Sequence, residues 1–203
     1  MTYFPMFFNL SNKKVYLCGI GENMEVQIKT LMKFNPHIYV FPEKKLQGRD
    51  FPEDVVIMDH PVTEEDFKEL PVCTFISCEE NRNTFIVSLC KKYNIPVYVA
   101  NHPELCDFTF GSMIATDHLC VSVNTEESPT AAEHLKKDFQ KILPDQIDSI
   151  LESMTEVQNW AHSWCSSPTE LKEVLQIVVS QAFIKGRQLT NEELQKIRNV
   201  YIE

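Results

Sequence analysis

An α/β fold with a helical C-terminal part is what this sequence predicts, and three observations carry the prediction. Over the first half of the chain, short continuous apolar runs alternate with helical stretches, the pattern of a parallel sheet covered on both faces. Gly19 and Gly21 follow the first apolar run and open the first helical stretch. From Ser128 onward strand-type runs cease and helix-start signals recur. The first two observations describe a Rossmann-like, doubly wound sheet, in which ligands sit at the carboxyl ends of the strands.

In chain order, "KVYLCGI" reads as a buried strand and residues 22–34 as a helix. "HIYVF", "DVVIMD" and "VCTFIS" are the second, third and fourth strands. "NRNTFIVSLCKKYN" is a helix with Phe85, Ile86, Leu89 and Cys90 on its apolar face, and "IPVYVA" is the fifth strand. "DFTFGSMI" and "LCVSVNT" are two further strands that pair either with each other or with a second subunit. Ser128-Pro129 is a helix N-cap followed by Pro at the first helical position, and Pro144 separates that helix from the next. Capping boxes at Ser167 to Glu170 and Thr190 to Glu193 start two more helices, so residues 145–203 read as a small bundle of about three. Trp160 and Trp164, spaced i, i+4, belong to the core of that bundle.

The formal net charge of −10 argues against nucleic acid or an anionic membrane surface as a partner, because both require excess Lys and Arg. No apolar run is long enough to span a bilayer, and "MTYFPMFF" has no basic n-region and is broken by Pro5, unlike a signal peptide. The seven cysteines show no C-x-x-C spacing, and several lie in apolar runs where Cys acts as a small hydrophobe. A reducing, cytoplasmic setting is expected, with no metal site in the protein itself.

Three stretches are candidate sites. In "VYLCGIGENMEVQIK" the residues that would hold a dinucleotide are Gly19, Ile20, Gly21, Glu22, Asn23 and Met24. Gly19 and Gly21 allow a tight turn and close approach to a pyrophosphate, but Met24 stands where a small residue packs the helix onto the strand. Glu22 adds negative charge at the helix start, and Glu43 is the nearby acid for a ribose. A plain βα turn explains the same residues equally well. In "VYVANHPELCDFTF", Asn101 and His102 lie past the fifth strand with Glu104 and Asp107 close by; His102 could act as acid or base, or the stretch is an ordinary polar loop. In "NTEESPTAAEHLKK", Thr125 and Ser128 offer hydroxyls at a helix start, while Glu126 and Glu127 oppose an anion; Lys136, Lys137 and His134 fit a solvated face as readily as a ligand site.

Together these segments resemble the siroheme synthase N-terminal family, precorrin-2 dehydrogenase and sirohydrochlorin ferrochelatase. "YFPMFFNLSNKKVYLCGIGE" resembles its P-L-F-L-x-L opening, strand and G-G-G-[DE]-V-A loop. "FISCEEN" sits at its A-A-T-D-D segment, "NHPELCDFTFGSMI" resembles V-x-D-x-P-E-L-C-D-F-x-F-P-A-I, and "LCVSVNTEESPTAAEHLKKDF" resembles L-x-I-A-I-S-T-G-G-x-S-P-x-L-A-R-x-L-R-E. The resemblance implies a homodimer with a Rossmann-like NAD-binding-type domain at 1–112, a dimerisation segment at 113–144 and a C-terminal helical domain at 145–203. It implies a tetrapyrrole ligand, NAD-dependent oxidation of precorrin-2 to sirohydrochlorin, and in some members insertion of Fe2+ as a substrate. It places Asn101 at the position of a catalytic Asp, for which the neighbouring His102 or Glu104 could stand in; Thr125, Ser128, His134 and Lys136 are the expected substrate-binding residues.

The sequence departs from the family at informative places. Ile20 replaces a Gly, Met24 an Ala, Gly111 a Pro and Glu133 an Arg, while Glu126-Glu127 replace a Gly-Gly turn with one residue fewer. Asn101 stands where the family carries an Asp implicated in both reactions, and an amide cannot accept a proton as a carboxylate does. The expectation is therefore weak or absent NAD binding and loss of the dehydrogenase step. The alternative role is that of a chelatase-only or non-catalytic tetrapyrrole-binding or scaffolding protein.

Overall fold

The computed structural model describes residues 3–19, 24–43, 51–78, 80–126 and 128–202. Five parallel strands form one sheet: β1 (Lys14–Gly19), β2 (His37–Phe41), β3 (Val55–Ile57), β4 (Cys73–Ser77) and β5 (Val97–Val99), in the order β3-β2-β1-β4-β5. Helix α1 (Met24–Met32) joins β1 to β2, and α2 (Glu80–Tyr93) joins β4 to β5. The chain turns to one side of β1 for β2 and β3 and to the other for β4 and β5. The switch point therefore lies between the carboxyl ends of β1 and β4, which is where the sequence places its glycine turn.

Alternation along β1 builds both faces of the sheet. Val15 and Leu17 pack with Met24, Ile28 and Leu31 of α1, whereas Tyr16 and Cys18 pack with Ile86, Leu89 and Cys90 of α2. Each fully buried Val, Leu or Ile contributes about 1.5–3 kcal/mol, so this double layer is the main source of stability in residues 1–110. On α2, Phe85 departs from the expected apolar face. It is 40% exposed, and the guanidinium of Arg82 lies over its ring at 5.1 Å. Val87 and Asn83 take buried places instead.

Residues 111–203 form a second compact unit. Strands β6 (Ser112–Ala115) and β7 (Cys120–Val123) pair with each other, antiparallel, and α3 (Pro129–Ile142) packs on both. Then α4 (Ile147–His162), α5 (Pro168–Lys185) and α6 (Asn191–Ile202) bury Val157, Ala161, Val174, Val178 and Ile197 between them. Trp160 and Trp164 meet edge to face at 5.2 Å at the rim of that core. The caps are those of the sequence signals, with one difference. Ser167 Oγ accepts from Glu170 N at 3.2 Å, but the Glu170 carboxylate accepts from Ser166 N, one residue before the cap. Asp148, in the first turn of α4, accepts from Thr116 Oγ1 at 2.6 Å and His118 N at 2.9 Å, tying down the turn between β6 and β7.

Candidate functional site

The carboxyl ends of β1, β2 and β4 bring together Gly19, Glu43, Cys78 and Arg82. Gly19 has φ +89°, and a Cβ built on it would lie 2.2 Å from the Ser77 carbonyl oxygen and 2.7 Å from Cys78 Sγ. The glycine is therefore demanded by the approach of β4, whatever binds in front of it. Met24 opens α1 with its side chain buried among Val15, Leu17, Ile28 and Leu31. The long side chain that departs from the fingerprint is thus a core residue. Ile20, Gly21, Glu22 and Asn23 lie outside the described residues.

Glu43, two residues past β2, occupies the place of a ribose acid, but its carboxylate is engaged by the protein. Arg82 Nε donates to both oxygens, at 3.1 and 3.2 Å, and Cys78 Sγ donates to Oε1 at 3.6 Å. Arg82 Nη2 also donates to the Val62 carbonyl at 2.9 Å. Burial, with Glu43 alongside, pushes the Cys78 thiol up to about 12, so it remains a neutral S–H donor at neutral pH. Buried Asn83 accepts from Cys78 N at 3.0 Å through its side-chain oxygen and so fixes the turn from β4 into α2. Sequence reasoning passed over Arg82 and Asn83. Arg82 carries a legible signal: a cation in the first turn of a helix opposes the helix dipole and calls for an anion beside it.

Past β5, Asn101 is exposed and holds φ +63°, a left-handed conformation that Asn tolerates better than most residues. His102 is half-buried, with Nδ1 3.0 Å from Glu104 Oε1; a backbone hydrogen bond first, and then this contact, hold the Glu104 carboxyl below its usual range. The next residues serve the sheet. Asp107 Oδ2 accepts from Val97 N at 3.0 Å, Cys106 Sγ accepts from Val99 N at 3.1 Å, and Asp107 N donates to the Val97 carbonyl at 2.8 Å. These groups cover the free edge of β5, which would otherwise present unpaired donors. Asp107 is accordingly a sheet-edge residue rather than a reacting group.

The other candidates belong to the second unit. Thr125 Oγ1 donates to the Ser128 carbonyl at 2.5 Å, and Ser128 Oγ caps α3 by accepting from Ala131 N at 3.2 Å. Lys136 pairs with Glu133 at 2.7 Å, and His134 Nε2 lies 3.4 Å from Asp138 Oδ2. Glu126 holds φ +53°, a conformation that favours glycine, while Glu127 lies outside the described residues. Among the described residues, no three His, Cys, Asp or Glu side chains gather where they could hold a metal ion, and no helix is long and apolar enough to cross a membrane.

A family model described as "Putative NAD(P)-binding" matches residues 6–112, more than half of the 203-residue chain. The chain belongs to this family. The siroheme synthase of Thioalkalivibrio sulfidiphilus is 27% identical over 151 residues, covering 71% of this chain and 30% of that protein. A siroheme synthase of Neisseria meningitidis serogroup C is 22% identical over 205 residues, covering 97% of this chain and 42% of the relative. The chain spans about a third of the length of the curated relatives it matches. A solved structure titled "SirC, precorrin-2 dehydrogenase" superposes with a TM-score of 0.65 at 15% identity, covering 97% of this chain and 100% of that one, a likeness of fold. These matches uphold the siroheme synthase N-terminal family that the four sequence segments resemble.

Membership in an NAD(P)-binding family sets a test of fit for the described residues. Gly19 has the positive φ of a tight turn. The Glu43 carboxylate, expected to take the ribose hydroxyls, already accepts from Arg82 and Cys78. A nucleotide ribose at Glu43 would have to share the carboxylate with the Arg82 guanidinium.

Proposed function

We propose that the protein acts on or binds a tetrapyrrole in the siroheme or cobalamin pathway, as a precorrin-2 dehydrogenase-type homologue whose NAD-dependent oxidation of precorrin-2 is weakened or lost. The observation that carries this reading is the engagement of Glu43 by Arg82 at the ribose position of a family NAD(P)-binding domain. NAD, when bound, would accept the hydride removed from the substrate. The chain's own contribution would be to bind the macrocycle and take up a proton. Asn101 cannot take a proton, so His102, oriented by Glu104, is the group placed to do so. Thr125, Ser128, His134 and Lys136 are the proposed tetrapyrrole-binding set of the second unit.

Replacing Asn101 with Asp is the direct test. Asp also tolerates the left-handed conformation, so the change restores a carboxylate without straining the backbone. At NAD concentrations high enough to offset weak binding, dehydrogenase turnover with precorrin-2 is expected to be near background in the wild type and to rise in N101D. Turnover in the unmodified protein equal to that of intact family members would refute the reading.

A second reading keeps Fe2+ insertion into sirohydrochlorin, or tetrapyrrole binding alone, because neither requires NAD. The half-buried His102, paired with the exposed Glu104, favours it by supplying a base without Asn101. We further propose a cytoplasmic homodimer assembled through residues 113–144. Leu135, Phe139 and Ile142 form an exposed apolar stripe at i, i+4 and i+7 on α3, and a two-stranded sheet is marginal on its own. All seven cysteines are free, consistent with a reducing compartment.

A further inference from the structure

Resting on the weak-NAD reading above, we propose that Arg82 is an internal competitor for the dinucleotide, holding Glu43 in the place where ribose hydroxyls would otherwise bind. Arg82 is fixed at three points: Nε on the Glu43 carboxylate, Nη2 on the Val62 carbonyl, and the guanidinium plane over Phe85. Both partners are shielded, with side-chain exposures of 33% for Arg82 and 21% for Glu43, so water screens the pair less than it would a surface ion pair. A ribose diol offers Glu43 neutral donors in exchange for a charged one, and charge-assisted hydrogen bonds are roughly twice as strong. Displacing Arg82 would also leave a cation in the first turn of α2, where the helix dipole opposes it. The arrangement therefore resists opening from both sides, and Met24, a core residue, has no part in it.

The test is calorimetric titration of the full chain with NAD and with NADP, alongside thermal melting without nucleotide. The variants are Arg82→Leu, Arg82→Gln, Arg82→Lys and Glu43→Gln. Gln at 82 retains a donor for the Val62 carbonyl and serves if the Leu variant does not fold. R82L and R82Q are expected to bind NAD at least about tenfold more tightly than the wild type. R82K, which keeps a cation able to pair with Glu43, should stay near the wild type, and E43Q should gain nothing. Unchanged or weaker NAD binding in both neutral variants would overturn the proposal. Equal gains in E43Q and R82Q would also overturn it, since they would point to a loosened segment around Val62. So would wild-type binding of NADP at least tenfold tighter than NAD that disappears in R82Q, which would make the guanidinium a phosphate ligand. Low-micromolar NAD binding by the wild type would refute the weak-NAD reading itself. A weak wild type with unimproved neutral variants would refute only the competition.

Discussion

Replacing Gly19 with Ala separates the two explanations of the glycine turn. If Gly19 is present for a nucleotide, the substitution should reduce binding and leave stability untouched. The structure predicts the reverse. The new Cβ would meet the Ser77 carbonyl oxygen at 2.2 Å and its carbon at 2.6 Å, and Gly19 is in register with Ser77 in the β1–β4 pairing. That neighbour is sheet backbone and cannot swing aside as a flexible side chain would. A positive φ of +89° adds about 1–2 kcal/mol for an L-residue. Forcing atoms into a packed site adds about 1–3 kcal/mol. The sum, about 2–5 kcal/mol, is a large share of the ~5–15 kcal/mol that holds a typical domain together. For a chain of this size it corresponds to a fall in melting temperature of roughly 4–20 °C. Circular dichroism melts of G19A and wild type, without nucleotide, measure it. A melting temperature within 1 or 2 °C (roughly half a kcal/mol) of the wild type would refute the close-approach reasoning and return the glycine to the cofactor.

Asp107→Ala should uncover the Val97 amide, cost about 1–3 kcal/mol and speed hydrogen exchange at Val97, with little change at β2 on the opposite side of the sheet. Asp148 is held below the usual carboxylate range, first by the Thr116 hydroxyl and then by the His118 amide. Its folded pKa is depressed, so its contribution is present above the unfolded value and lost as pH falls through the folded one. D148A should therefore melt lower than the wild type at neutral pH, with the gap closing in acid. Glu126→Gly relieves a left-handed backbone and should leave stability unchanged or raise it by up to about 1 kcal/mol in urea titrations. Charging the α3 stripe with Leu135→Glu and Phe139→Glu together should convert the proposed dimer to a monomer in light-scattering chromatography while the helical signal persists.

The parallel sheet was legible because its strands are short apolar runs that bury both faces, and that pattern is local. So were the helix starts at Ser128, Ser167 and Thr190, whose caps are set by residues three apart. What sequence could not supply were meetings between distant segments. Glu43 and Arg82 are 39 positions apart, and only the order β2-β1-β4 brings them to one edge. Asp107 looked like part of a polar site because it lies near His102 in sequence. Ten positions earlier lies Val97, whose amide it caps, and nothing local marks β5 as an edge strand. Phe85 was misplaced for a related reason. Helical periodicity assigns it to the apolar face, but the packing of α2 turns Asn83 and Val87 inward, and the ring supports Arg82 instead.

Magnitudes decide which of the internal ion pairs matters for ligand binding. Lys136 with Glu133, and His134 with Asp138, are helix-surface pairs at i, i+3 and i, i+4. Pairs of this kind between helix neighbours are weak, so a tetrapyrrole carboxylate could compete for Lys136 or His134. Their presence does not argue against a tetrapyrrole. Glu43 with Arg82 differs in kind: it is more shielded than the His134–Asp138 pair, it is anchored to the Val62 carbonyl, and a thiol donates to the same carboxylate. Breaking one partner from a shielded, hydrogen-bonded pair strands the other, and stranding is what makes such a pair costly to open. On the proposed reading, the same family fold would retain a surface that a polycarboxylate could occupy while Arg82 holds Glu43 at its nucleotide edge. On the function proposed above, loss of the cofactor and retention of the macrocycle would be separable, because the two would depend on different ion pairs.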